Sequence, residues 1–149
     1  MTTQHLVIVQ AIAQRLQEDP ALAAAKFYLN RRRAIPADKT RAVVVRLGRS
    51  LSQEVKQLGG RTTWRTLIEI ECYGRDDADD VPGAVADQVL EAVFDNLDAG
   101  PGLGYGVMDI EPLPGDTLAW DFDELDNSMA CVSARFVVNH QTNGRTLTL

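Results

Sequence analysis

Two stretches of the chain alternate with a period of two residues, and they constrain the fold more than anything else in it. From Trp64 to Gly74, the residues Trp64, Thr66, Ile68, Ile70 and Cys72 fall on one side, and Arg65, Glu69 and Glu71 fall on the other with Leu67 and Tyr73. From Ala130 to Thr142, Val132, Ala134, Phe136 and Val138 alternate in the same way. Successive side chains of a strand point to opposite faces, so each stretch predicts a long strand with one apolar face that needs covering. Shorter strands are expected at Lys26–Asn30, at Ala42–Leu47 with Val43, Val45 and Leu47 inward and Gly48 closing it, and at Tyr105–Glu111.

Helices supply the cover. In Thr3–Asp19, the residues Leu6, Val9, Ala13 and Leu16 recur at helical spacing, with Ile8 and Ile12 widening the stripe. Thr2 or Thr3 can cap its start, and Pro20 helps to end it. A second stripe (Val85, Val89, Leu90, Val93, Phe94 and Leu97) marks a helix over Val81–Leu97, with Pro82 in the first turn, where a missing N–H does no harm. The order is helix, three strands, helix, two strands. Adjacent strands without helical crossovers favour an antiparallel or mixed sheet. The expected fold is α+β, a mainly antiparallel or mixed sheet of about five strands with two helices packed on one face, in one domain spanning residues 1–149.

The connecting segments are polar or glycine-rich. Ser50–Thr63 reads as a polar excursion, with a helical turn at Leu51–Leu58 stopped by Gly59 and Gly60. Gly100–Gly106 reads as a flexible connector, Pro112–Gly115 as a turn, and Trp120–Ser128 as an acidic loop or extended segment.

Little in the chain invites catalysis. His5 and His140 have no nucleophile or metal-ligand partner at useful spacing and read as solvent-facing polar residues. Gly100, Gly102, Gly104 and Gly106 do not lead from a strand into a helix, so they make no phosphate loop. Asp76, Asp77, Asp79 and Asp80 could ligate a divalent cation, but the glycine and glutamate of an EF-hand loop are missing, and carboxylates before a helix suit its positive end without an ion. Asp121, Asp123, Glu124 and Asp126 read as a solvated surface. Arg31, Arg32 and Arg33 could touch phosphates, yet no basic platform interleaved with aromatics accompanies them. Cys72 and Cys131 fall on opposite faces of their strands, which prevents a disulfide and fits a reduced, cytosolic setting. No apolar run approaches the roughly 18 residues of a membrane span, and no secretory signal is expected. No catalytic residue, cofactor or metal site is expected.

Charge is distributed unevenly. Residues 1–75 carry 13 Lys+Arg and 6 Asp+Glu, whereas residues 76–149 carry 2 and 15, for a net charge of −6. A domain polarised in this way can present one basic and one acidic surface, which suits head-to-tail contact between copies; if the halves interleave in the fold, the charges mix instead. The candidate contact residues are Arg31, Arg32, Arg33, Arg49 and Arg65 on the basic side and Asp76, Asp77, Asp79, Asp80, Asp121, Asp123 and Asp126 on the acidic side.

Three segments carry a family resemblance: FYLNRRRAIPADKTRAVVVRLGRS from Phe27, TWRTLIEIECYGR from Thr63, and WDFDELDNSMACVSARFVVNH from Trp120. In this order the chain resembles the tail terminator (minor tail protein U-like) proteins of long-tailed phages and prophages. The last segment matches the family habit of an acidic stretch with an aromatic leading into the final alternating strand. The chain is longer than some relatives around Ser50–Thr63 and at its C-terminus. The resemblance implies a non-enzymatic virion-tail protein, assembled in the host cytoplasm. It implies a ring, typically a hexamer, on the completed tail tube that stops tube growth and offers a surface for head joining. The implied partners are further copies of the chain, the tail tube protein and a head-tail joining protein, with DNA passing through unbound and no membrane involved. The alternatives are a divalent-metal-dependent enzyme built on the acidic clusters and a small intracellular binding module.

Overall fold

The computed structural model describes residues 2–30, 40–52, 60–75, 81–99, 107–122, 129–144 and 146–148. Its elements are α1 (Gln4–Gln17), a 3-10 turn (Pro20–Leu22), β1 (Lys26–Leu29), β2 (Arg41–Ser52), β3 (Thr62–Arg75), α2 (Pro82–Asp98), β4 (Val107–Pro112), β5 (Leu118–Phe122) and β6 (Met129–Thr142). The result is an α+β fold with two helices and a six-stranded mixed sheet, as expected, with one strand more than the five foreseen. The strand order is β1-β2-β3-β6-β4, and β5 also pairs with β6. Among the described residues only β1 and β2 run parallel, and every other pairing is antiparallel.

Local chemistry sets the element ends. The Thr3 hydroxyl accepts from Leu6 N–H and caps α1. At the far end of α1, Arg15 donates to the side chain of Asn96 at 3.0 Å, and Asn96 donates to Asp19 at 2.9 Å, so the C-terminal ends of both helices are tied together. That amide bond is the main reason the Asp19 carboxyl titrates below its ordinary value. Val81 supplies no side-chain cap to α2, which begins with Pro82. The acidic run Asp76–Asp80, expected to favour that helix start, lies outside the described residues.

Both helices lie on one face of the sheet and bury the stripes read from the sequence. Ile8, Val9, Ile12 and Leu16 of α1 and Val85, Val89 and Val93 of α2 are closed from solvent together with Val43, Val45, Ile68, Ile70, Cys72, Val132 and Ala134. Gly74 marks the closest approach. A β-carbon there would stand 2.6 Å from the Pro82 carbonyl oxygen and 2.9 Å from the Val85 carbonyl carbon, so no larger residue fits beneath the first turn of α2.

Three sequence expectations need correction. Gly48 does not close β2. Gly48 and Arg49 stand opposite the single residue Leu67 in a bulge, and pairing resumes at Ser50 with Thr66. Ser50–Ser52 and Thr62–Thr63 therefore belong to long strands rather than to a polar excursion; of the helical turn expected at Leu51–Leu58, Leu51 and Ser52 are strand and the rest lies in residues 53–59, outside the described set. In addition, Leu118–Phe122 is a strand of its own, so of the two readings of Trp120–Ser128, loop or extended segment, Trp120–Phe122 takes the extended one, and the strand begins two residues earlier. It continues along the β6 edge where β4 leaves off, after residues 113–117 loop out opposite Arg135. Arg135 holds that loop by accepting from Leu113 N–H, by donating its own N–H to the Thr117 carbonyl, and through its guanidinium, which meets Asp116 at 2.7 Å.

Candidate assembly interface

Among the described residues the second face of the sheet carries no helix, and an ion cluster lies on it. Arg46 of β2 pairs closely with Glu71 of β3 and sits 3.6 Å from Glu69, while the Tyr73 hydroxyl donates to Glu71. These contacts satisfy a carboxylate that is almost fully buried. Around it, Ala42 and Val44 pack with Tyr28, Tyr73 and Met129. Burial raises the pKa of the Tyr73 hydroxyl and of both thiols, Cys72 and Cys131. The cysteines are free, and their protonated state makes them poor nucleophiles.

The histidines depart from the sequence reading. His140 is fully buried, not solvent-facing, and His5 lies across from it at a ring separation of 4.8 Å. They end a chain of hydroxyls. His5 Nε2 meets Ser50 at 3.0 Å, Ser50 meets Thr66 at 2.7 Å, and Thr66 meets His140 Nε2 at 2.7 Å. The Trp64 ring stands edge-on to His5, and its N–H donates to Thr142. Burial, and then the neighbouring imidazole, lower the His140 pKa to about 4, and burial lowers that of His5. Both are therefore neutral at pH 7. Among the described residues His140 Nδ1 has no partner, which is least costly when that nitrogen carries the lone pair, so Nε2 is assigned as the donor to Thr66. The hydroxyls are spent on one another and on the imidazoles. The group fastens the first turn of α1 to β2, β3 and β6. Sequence spacing could not reveal it, because its members come from four elements. Among the described residues no group of three or more His, Cys, Asp or Glu could hold a metal.

Of the candidate contact residues, Arg49 and Arg65 are exposed and lie near each other, where β2 and β3 pair around the bulge. Asp121 is exposed on β5 and level with Tyr73 of β3 through Cys131. Eight residues of strand separate that level from Arg65, about 26 Å. The structure thus sets the two arginines and Asp121 at opposite ends of the sheet. Arg31, Arg32, Arg33, Asp76, Asp77, Asp79, Asp80, Asp123 and Asp126 lie outside the described residues.

Two grooves flank the sheet where a helix meets an outer strand. One lies between α1 and β1, with Gln10, Gln14 and Gln17 on its helix wall and Phe27 and Leu29 on its floor. The other lies between α2 and β5, with Asp87 and Glu91 above Leu90, Phe94 and Leu118. Trp120, two residues beyond Leu118 and on the same face, is 56% exposed. Sequence reading missed both grooves. The alternation of Leu118, Trp120 and Phe122 was the available signal for the second.

No family model matches the chain, and no curated protein matches it in sequence. Solved structures do match its fold. A chain from the virion of a native gene transfer agent particle superposes with a TM-score of 0.57 at 18% identity, covering 90% of this chain and 94% of that one. The chain shares its fold with that virion chain. A second similar structure, with a TM-score of 0.48 and 13% identity, comes from the sheath/tube terminator of an extracellular contractile injection system in its extended state. That match covers 99% of this chain and 60% of the other. The fold shared with the first of these is compatible with the resemblance drawn from the three sequence segments.

Proposed function

We propose that the chain is a structural component of a phage-type tail, without enzymatic activity. In this reading it forms a ring, typically of six copies, that seats on the finished tail tube, stops the addition of tube subunits and offers its outer surface to a head-tail joining protein. The observation that carries the reading is the fold shared with a gene transfer agent virion chain over nearly the whole length of both. The surface is compatible with it. The polar side chains that gather in the interior are hydrogen-bonded to one another, and exposed apolar and charged groups lie along the outer strands. DNA would pass through the ring unbound, in keeping with a net charge of −6.

The test is tube length. Tube subunits from the same particle are polymerised with and without the purified chain, and the products are measured by electron microscopy. Tubes that stop growing and end in a ring support the proposal. Tubes that lengthen equally in both mixtures, with no density added at their ends, refute it.

A further inference from the structure

β1 and β5 are outer strands on opposite edges of the sheet, and the register places them on the same four rungs. Lys26 lies in line with Ala42, Tyr73, Cys131 and Asp121. Leu29 lies in line with Val45, Ile70, Ala134 and Leu118. Phe27 accordingly shares a rung with Trp120, and Tyr28 with Ala119. The two strands also run in opposite senses, because β1 is parallel to β2 and three antiparallel steps lead from β2 to β5.

We infer that β1 of one copy adds to β5 of the next, antiparallel and in this register, so that the sheet continues from copy to copy. The inference rests on the reading that the chain assembles with itself. Rotation about an axis along the strands returns every strand to the same level with its direction kept, which is what a closed head-to-tail assembly requires. Lys26 then meets Asp121, Phe27 meets Trp120 and Leu29 meets Leu118. Among the described residues both strands are edges of the sheet, the kind of border that can take up a further strand.

The side chains favour this occupant. Phe27, Leu29, Leu118 and Trp120 all lie on the helix-bearing face, yet Leu29 is 40% and Trp120 56% exposed within one copy. Each groove is half of an apolar layer, and joining the edges sets α1 of one copy beside α2 of the next. The amides of Gln10 and Gln17 can then donate to Asp87 and Glu91, while Glu18, on the same wall, is held by the Gln14 amide. Twofold pairing of β5 with itself would bring Asp87, Glu91 and Asp121 of two copies together, which like charge disfavours. Pairing of β1 with itself would leave Lys26 without an acid on the facing strand.

The contact is tested by the mass of assemblies in solution, with circular dichroism and thermal unfolding to confirm that each variant folds. Leu29→Asp damages one edge and Trp120→Asp the other, each at an exposed position, and each alone should weaken self-association about 30-fold or more. Mixed together, the two variants retain one intact edge each, so they should form one-to-one dimers and nothing larger. Lys26→Asp and Asp121→Lys should each weaken assembly about fivefold, and the double variant should recover it. Assemblies unchanged by both Leu29→Asp and Trp120→Asp overturn the inference, as does a wild-type chain that stays monomeric. A mixture that yields no dimers overturns it too, and a charge swap without recovery overturns the register. Tube length, measured separately, decides the tail role. Arrested tubes with unaffected edge variants would leave that role standing while the edge contact falls.

Discussion

The two faces of the sheet share the same strands but not the same kind of order. On the helix-bearing face, Ile68, Ile70 and Cys72 of β3 are completely buried among apolar neighbours. On the other, Glu69 and Glu71 answer Arg46, and Tyr73 leans over Glu71. The first face is held by packing, which is unforgiving of volume changes. The second is held by a compact ionic group at a partly wet surface, where each contact contributes little. Folding should therefore depend more on the first face than on the second.

The sharpest way to break this comparison is at the helix-bearing face. Gly74→Ala forces a methyl group into the backbone of α2 and should cost about 3 kcal/mol or more in urea unfolding. Ile70→Ala should cost a similar amount, roughly 3 kcal/mol, through the cavity it leaves. Near-normal stability in both would mean that the packing argument is misplaced.

Acid probes the polar end of the same face. The folded chain keeps His140 neutral down to about pH 4, whereas an unfolded histidine takes up a proton near pH 6.5. Between those values the unfolded state binds more protons, so this stabilisation is complete above pH 6.5 and is lost as pH falls toward 4. The loss should reach about 2–3 kcal/mol at the acid end of that window. A His140→Asn variant should show a shallower pH dependence of its urea midpoint over the same range. Equal slopes would remove the histidine pair from the account.

The ionic face should respond less. Arg46→Met leaves Glu71 buried with Tyr73 as its remaining partner and should cost about 1–2 kcal/mol, reduced by the partial exposure of the arginine. Glu71→Gln in that background should restore part of the loss. At the exposed Arg65, substitution by alanine should change stability by less than about 0.5 kcal/mol. A large effect there would mean that the open face carries more of the fold than its contacts indicate.

The residues differ in how much of this they announced. Helical stripes and strand alternation are local patterns, so α1, α2, β3 and β6 were legible, and so were the faces on which Cys72 and Cys131 lie. Gly48 misled because a glycine that ends a strand and one that makes a bulge look alike without the partner strand, here Leu67. β5 was obscured by the acidic residues that follow it. The His5–Ser50–Thr66–His140 chain had no sequence signature, since its members meet only when the sheet has formed. Charge asymmetry did point to Arg49, Arg65 and Asp121, which are exposed. It did not point to Phe27, Leu29 and Trp120, because these resemble core residues until their strands prove to be outermost.

The loop of residues 113–117, pinned by Arg135, has one more consequence. It divides what could have been a single outer strand into pieces of six and five residues, β4 and β5. A long uninterrupted border is a template on which partly folded chains stack indefinitely. The interruption limits any stray recruit to a short run before the ladder breaks, which guards that border against fibrous growth.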